Sequence, residues 1–192
     1  MSLYDTLKFL HIITVVFMAA PLYNLVVVNE REKFGKAHLD VDRYFENLIR
    51  GNSIRCYVFQ ITALVTGVAL AILGGSVASL FTNWVLLVKL LLLLVLMALL
   101  SVVHFSLQPR IDVLLAEATG DALAPALAAR IAPLRVRRKR LAAICLFLVI
   151  TTVVLGLQVF TRFTPPTTAI LVGAAGVFAW RVYSSRVAYG WM

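Results

Sequence analysis

The sequence has few charged residues and almost no cysteine. Only 14% of its 192 residues are charged, whereas a soluble protein has roughly a quarter. Hydrophobic residues make up 61%, and the mean hydropathy is +0.93. This composition excludes a disordered chain, which needs low hydrophobicity, and it indicates an integral membrane protein. The two cysteines, Cys56 and Cys145, are too few for a disulfide-stapled secreted module.

The sequence also lacks the motifs of several enzyme classes. It has no Gly-rich phosphate loop and no Ser-His-Asp set, and all nine acidic residues lie outside the apolar runs. Hydrolysis, nucleotide chemistry and a carboxylate proton relay within the membrane are therefore unsupported. The net charge of +9 is explained by basic side chains at anionic lipid headgroups, so we expect no nucleic-acid partner.

Five apolar runs predict a single all-α domain over residues 1–192, a bundle of five transmembrane helices. A helix needs about 20 apolar residues to cross ~30 Å of hydrocarbon. Within the third run, the stretch from Val85 to Leu100 is interrupted only by Lys89, whereas barrel strands would alternate apolar and polar residues. The predicted spans are about 7–28, 57–73, 84–107, 141–160 and 168–183, with inner loops over about 29–56 and 108–140. The fifth run is short and follows two prolines, so a tilted or re-entrant helix is the alternative there.

Basic residues are concentrated in alternate connections. Fifteen of the 18 lysines and arginines fall in the two inner loops and the carboxyl-terminal segment, against Lys8 and Arg162 on the other side. The positive-inside rule therefore places the amino terminus outside and the carboxyl terminus in the cytoplasm. We expect a multi-pass protein of the inner, cytoplasmic membrane whose run from Arg135 to Arg140 contacts anionic headgroups. In the first inner loop, Tyr44, Phe45, Leu48 and Ile49 predict an apolar helix face opposite Arg43, Glu46 and Arg50.

Side chains that bind metals or carry charge are unfavourable in hydrocarbon and therefore informative. His11 and Lys89 lie at comparable depth on two helices that both begin at the outer face, while His104 lies roughly 22 Å deeper than Lys89. One iron atom therefore cannot bind both histidines. His11 shares a helix face with Met18, and imidazole and thioether are both haem ligands. A hydrogen bond across a helix interface is the alternative role for His11.

Lys89, and His104 near the cytoplasmic end of the same helix, each have two interpretations. The Lys89 side chain either extends to the headgroups or neutralises a porphyrin propionate or carboxylate substrate, with proton transfer as a further role. His104 is either an interfacial, structural histidine or a metal ligand. Together with Cys56 and Cys145, which lie at its level, it would offer copper or zinc ligands, but no CxxC or HxxxH spacing supports that grouping.

Three segments resemble a known family. The run from Leu7 to Ile13, which contains His11, is similar to the first span of HemJ-type protoporphyrinogen oxidases and of the related CopD-like copper-resistance membrane proteins. The run from Trp84 to Leu91 resembles that family's tryptophan, lysine and leucine run, and the stretch from Arg43 to Leu73 resembles its second span. The likeness covers about the first 107 residues.

The resemblance implies a helical bundle that binds haem b, with His11 as axial ligand of the haem iron and Lys89 as the family's third-span lysine. It also implies a redox enzyme that oxidises protoporphyrinogen, with Lys89 required for activity. Such a reaction needs a quinone or respiratory partner because no second cofactor site is visible. Two alternatives stay open: a non-catalytic accessory or assembly subunit of a larger membrane complex or an oligomer, and CopD-like copper transport.

Overall fold

A computed structural model describes residues 2–28, 39–159 and 161–184, and within these ranges the protein is helical with no β-strand. The helices are α1 Leu3–Val28, α2 Leu39–Leu73, α3 Ser79–Thr82, α4 Trp84–Val102, α5 Gln108–Ala116, α6 Pro125–Leu157 and α7 Pro165–Ser184. The helical segments long and apolar enough to cross a membrane are Leu3–Asn24, Leu39–Leu73, Trp84–Ala116 and Pro125–Leu157. This confirms the all-α class and four of the predicted membrane helices. α7 occupies the position of the predicted fifth span but is not one of these four.

The predicted inner loops are largely helical. α2 begins at Leu39 rather than near residue 57, and α6 begins at Pro125 rather than near residue 141. These helices have 35 and 33 residues, so each is about 50 Å long and exceeds the ~30 Å of hydrocarbon. The hydropathy-based boundaries end at the first charges, whereas the helices continue through them. Their projecting ends enclose a small apolar core of Leu39, Ile111, Leu115, Ala118, Leu127 and Ile131.

The third membrane helix changes its hydrogen-bonding pattern near the same end. A π-helical turn, Val103–Leu107, joins α4 to α5. Pro109 lies in the first turn of α5 and has no N–H to donate to the carbonyl four residues earlier. A π turn before the proline accommodates the missing bond without ending the helix. The two helices therefore continue as one rod.

The buried side of α2 is mostly polar, and its exposed side is apolar. Six of its ten buried residues are polar or charged: Asp42, Glu46, Asn52, Ser53, Gln60 and Thr66. Val58 and Val65 on the other side are more than half exposed. This arrangement suits a helix whose outer side meets lipid. Of the predicted apolar face, Ile49 is fully buried and Tyr44 is 65% exposed, while Glu46, which we predicted on the opposite side, is only 2% exposed.

The helices bring two separate groups of polar side chains together at opposite ends of the bundle. α1 packs on α2 and α6, and α6 also contacts α4 and α7. The beginnings of α1 and α4 meet the last turns of α2 and α6, and we call this the His11 end. The beginnings of α2, α5 and α6 meet at the other end, the Glu46 end. Small residues, Ala175 and Ala179, form the buried side of α7 and permit its close packing.

Candidate functional site

The imidazole of His11 is held by α2. Its Nδ1 lies 2.9 Å from the Thr66 hydroxyl oxygen. That hydroxyl also lies 2.6 Å from the carbonyl oxygen of Thr62, one turn earlier in α2. A carbonyl can only accept, so the single hydroxyl hydrogen of Thr66 is donated to Thr62. The Thr66 oxygen then accepts from His11 Nδ1–H, which leaves a lone pair on Nε2.

Gly67 provides the space for this ring. A Cβ atom at Gly67 would lie 3.2 Å from His11 Cε1 and 3.7 Å from Nδ1. The first distance is closer than a comfortable van der Waals contact. The Thr66-Gly67 pair therefore supplies both the hydrogen bond that orients the imidazole and the close approach of the two helices. A histidine that donates from one ring nitrogen and keeps the other available is the usual arrangement of a metal-binding imidazole.

Lys89 lies beside His11 and against α6. It is close enough to His11 for the two side chains to interact electrostatically. A Cβ atom at Gly156 would lie 3.5 Å from Lys89 Nζ, so the ammonium group is among the helices, close to the last residues of α6. No hydrogen bond or ion pair joins Lys89 to any residue in the described part of the chain. The structure thus brings His11 and Lys89 together, as their predicted depths require.

Other predicted site residues lie elsewhere. Met18 is 1% exposed and belongs to an apolar cluster with Leu93, Leu96 and Cys145. His104 lies in the π turn, with its ring 5.8 Å from that of Tyr57, and its Nδ1 is buried without a hydrogen bond. Among the residues described, no three of His, Cys, Asp or Glu approach one another closely enough to hold a metal ion. The grouping of His104 with the two cysteines is therefore wrong.

A buried ionic network at the Glu46 end was not foreseen from the sequence. Arg138 is fully buried, and its Nη1 donates to Glu46 Oε2 and to Gln108 Oε1, both at 2.6 Å. Arg135 binds both Glu46 and Asp42. Of the run expected at lipid headgroups, these two arginines instead face acidic side chains, while Arg137 and Arg140 are exposed and the headgroup contact stays a prediction for them.

Gln108 and Asp112 complete the network. Gln108 Nε2 donates to Glu46 Oε2 and to Asp112 Oδ1, each at 3.1 Å. Asp112 in turn forms a 2.6 Å ion pair with Arg50. The signal for this network was the regular spacing of Asp42, Glu46 and later polar residues on one face of α2. The sequence analysis placed Glu46 opposite an apolar helix face, because apolar periodicity is the usual sign of the side that a helix buries.

Comparisons of the chain with protein-family models, with curated proteins and with solved structures found no match. The resemblance to HemJ-type and CopD-like proteins therefore stays an expectation. The site consists of an oriented imidazole on α1 and an ammonium group on α4. Both lie within a few turns of the same end of the bundle.

Proposed function

We propose that this protein is an integral membrane redox protein that binds haem b, with His11 as an axial ligand and Lys89 beside a propionate. One observation carries the proposal: an imidazole oriented by Thr66 lies next to an ammonium group that has no acidic partner among the described residues. A charge inside a membrane bundle is unfavourable unless it is compensated, so Lys89 would be strongly stabilised by an anionic partner. A ligand that carries both a metal and a carboxylate satisfies both groups at once.

The donor set fits haem b. The Nδ1–H of His11 donates to Thr66, so Nε2 is the nitrogen available for iron, and the hydrogen bond fixes the orientation of the ring. Lys89 would neutralise one propionate. Haem supplies reversible one-electron transfer when bound. Met18 is enclosed by apolar side chains, so we assign ligation to His11 alone among the two predicted α1 ligands.

The proposed topology is a bundle of five membrane helices with the amino terminus outside. Four helices have the length and composition to span, and α7 has 20 residues, which is about 30 Å at 1.5 Å per residue. The excess of basic residues at the Glu46 end supports a cytoplasmic location for that end in an inner membrane. Reporter fusions at the two termini test this orientation: an externally active amino-terminal reporter and an internally active carboxyl-terminal one are expected.

The substrate we propose is a reduced tetrapyrrole, with a quinone or a respiratory complex as electron acceptor. This choice rests on the resemblance of the His11 and Lys89 runs to the HemJ-type family. It is tested by complementation of a strain that lacks its protoporphyrinogen oxidase. Growth restored by the unmodified chain and lost with Lys89→Met is the expected result.

Absorption spectroscopy tests haem binding directly. The full chain is purified in mild detergent, and oxidised and dithionite-reduced spectra are recorded with a pyridine haemochrome assay. We expect about one haem b per chain, lost in His11→Ala and retained in His104→Ala, since His104 contacts Tyr57 and Phe105 instead. A folded but colourless protein, or an unchanged haem content in His11→Ala, would overturn the assignment. It would favour an accessory subunit, whose partners co-purification would identify.

A further inference from the structure

A small cavity lies inside the bundle, away from the His11 site. It is lined by both cysteines of the chain, Cys56 from α2 and Cys145 from α6, and both thiols are free and buried. Its volume is about 30 Å³, enough for one water molecule or one ion. The two thiols are close enough to interact electrostatically. A cavity of atomic size that is lined by two thiol residues from different helices offers two sulfur ligands to one ion.

Two residues that line the same cavity carry polar atoms that lack partners. Asn52 Nδ2 and Gln60 Oε1 are buried and make no hydrogen bond within the described ranges. Their residues are only 4% and 2% exposed. They lie one turn before and one turn after Cys56 on the same face of α2. Because an unpaired buried polar atom is unfavourable, these atoms indicate a ligand in the cavity rather than an empty packing defect.

The thiol pair decides which ligand fits. Thiolates select soft ions, and a d¹⁰ monovalent ion of the Cu(I) and Ag(I) class is satisfied by two sulfur ligands. A structural zinc ion needs four ligands, and the described residues bring no third His, Cys, Asp or Glu to this position. Cys56 is ten residues from Thr66 along α2, roughly 15 Å. The cavity is therefore a separate place from the His11 site.

We propose that Cys56 and Cys145 form a binding site for one soft monovalent metal ion. Both thiols lose their protons to solvent, and two sulfur–metal bonds form, so that M⁺ and two SH groups give an S–M–S complex of charge −1 and two H⁺. No oxidant or reductant takes part. The Asn52 amide N–H donates to a thiolate and offsets part of that negative charge.

Titration of the reduced full-length protein with Ag(I) under argon tests this site. We expect one Ag(I) per chain by mass analysis after dialysis, a thiolate-to-metal absorption band in the ultraviolet, and two protons released per ion in weak buffer. Because the chain has only two cysteines, Cys56→Ser and Cys145→Ser should each abolish the band. Asn52→Leu should weaken binding about 10- to 100-fold, as the loss of a group that supports metal ligands does. Ser101→Ala, which changes a hydroxyl on α4 that does not line the cavity, should bind as the unmodified chain does.

Several results would overturn the proposal. The first is no binding of Ag(I), the second is two ions bound independently, and the third is unchanged Ag(I) affinity in either serine variant. Each would mean that the two thiols do not share one metal ion in this cavity. Circular dichroism and gel filtration establish that each variant is folded. If a serine variant does not fold, the affinity of Asn52→Leu decides, because unchanged Ag(I) binding there contradicts the role of the cavity. The outcome is independent of haem content.

Discussion

The two ends of the bundle differ in whether their charged side chains are paired within the protein. At the Glu46 end, acids and bases from α2, α5 and α6 bind one another, and the carboxylate of Glu46 accepts from Arg135, Arg138 and Gln108. At the His11 end, Lys89 has no acidic partner among the described residues, and the titratable side chain beside it is the imidazole of His11. A closed network stabilises the arrangement of helices that it joins. An uncompensated cation beside an oriented imidazole is unfavourable for folding, and the haem propionate that we propose would compensate it.

Replacement of Arg138, at the Glu46 end, should cause the largest loss of stability. Arg138→Met leaves a carboxylate of the network buried with fewer donors, and loss of one partner of a buried ion pair typically destabilises by about 3–5 kcal/mol. The free energy of unfolding in mixed detergent micelles measures it. Arg137→Met, the same change at the exposed neighbour, should stay within about 0.5 kcal/mol. Equal effects of the two substitutions would show that the network does not stabilise the fold.

Replacement of Lys89, at the His11 end, should instead increase the stability of the haem-free protein. Lys89→Met removes a charge from the interior of the bundle and keeps a flexible chain of similar length, so without haem the protein should become more stable by about 1 kcal/mol or more. Haem affinity should fall at the same time, because the propionate loses its cation. The same unfolding assay and a haem titration measure the two quantities. A less stable Lys89→Met variant would mean that Lys89 contributes to the fold.

The difference between the ends also explains what the sequence could predict. The apolar runs predicted the membrane helices because hydropathy measures transfer into lipid. The common depth of His11 and Lys89 followed from helical rise alone. Their partners on α2 and α6, Thr66 and Gly156, could not be predicted in this way, since apolar helices carry little information on which faces meet.

The Glu46 network was missed for a different physical reason. Glu46, Gln108 and Arg138 are separated by 30 to 92 positions, so no local pattern joins them. Charges next to an apolar run were interpreted as the membrane boundary, whereas these helices continue and bury the charges against each other. A search for polar residues repeating every three or four positions, rather than apolar ones, would have found the buried face of α2.

Removal of the Thr66 hydroxyl should weaken haem binding through the orientation of His11 while changing the stability of the fold only slightly. Thr66→Val keeps the shape but leaves His11 Nδ1 without its oxygen partner, so haem affinity should fall about 10- to 100-fold. The loss of stability should be only about 1 kcal/mol, as for a single neutral hydrogen bond. Thr62→Val, one turn earlier, keeps the carbonyl that accepts from Thr66 and serves as the control. Equal haem affinity in Thr66→Val and the unmodified chain would refute the orienting role.

The smallest expected effect is a difference in stability between alanine substitutions at two glycines of α2. Gly51 has open space around it, so Gly51→Ala should stabilise the helix by up to about 1 kcal/mol through helix propensity alone. Gly67→Ala gains the same propensity, but its Cβ would lie 3.2 Å from His11 Cε1 and must displace the ring by a few tenths of an ångström. We therefore expect little or no net stabilisation together with a shifted Soret band or weaker haem binding, measured on both variants side by side. If Gly67→Ala matched Gly51→Ala in stability and spectrum, the close packing of α1 on α2 would not determine the position of the imidazole, and the uncompensated charge of Lys89 alone would distinguish this end of the bundle.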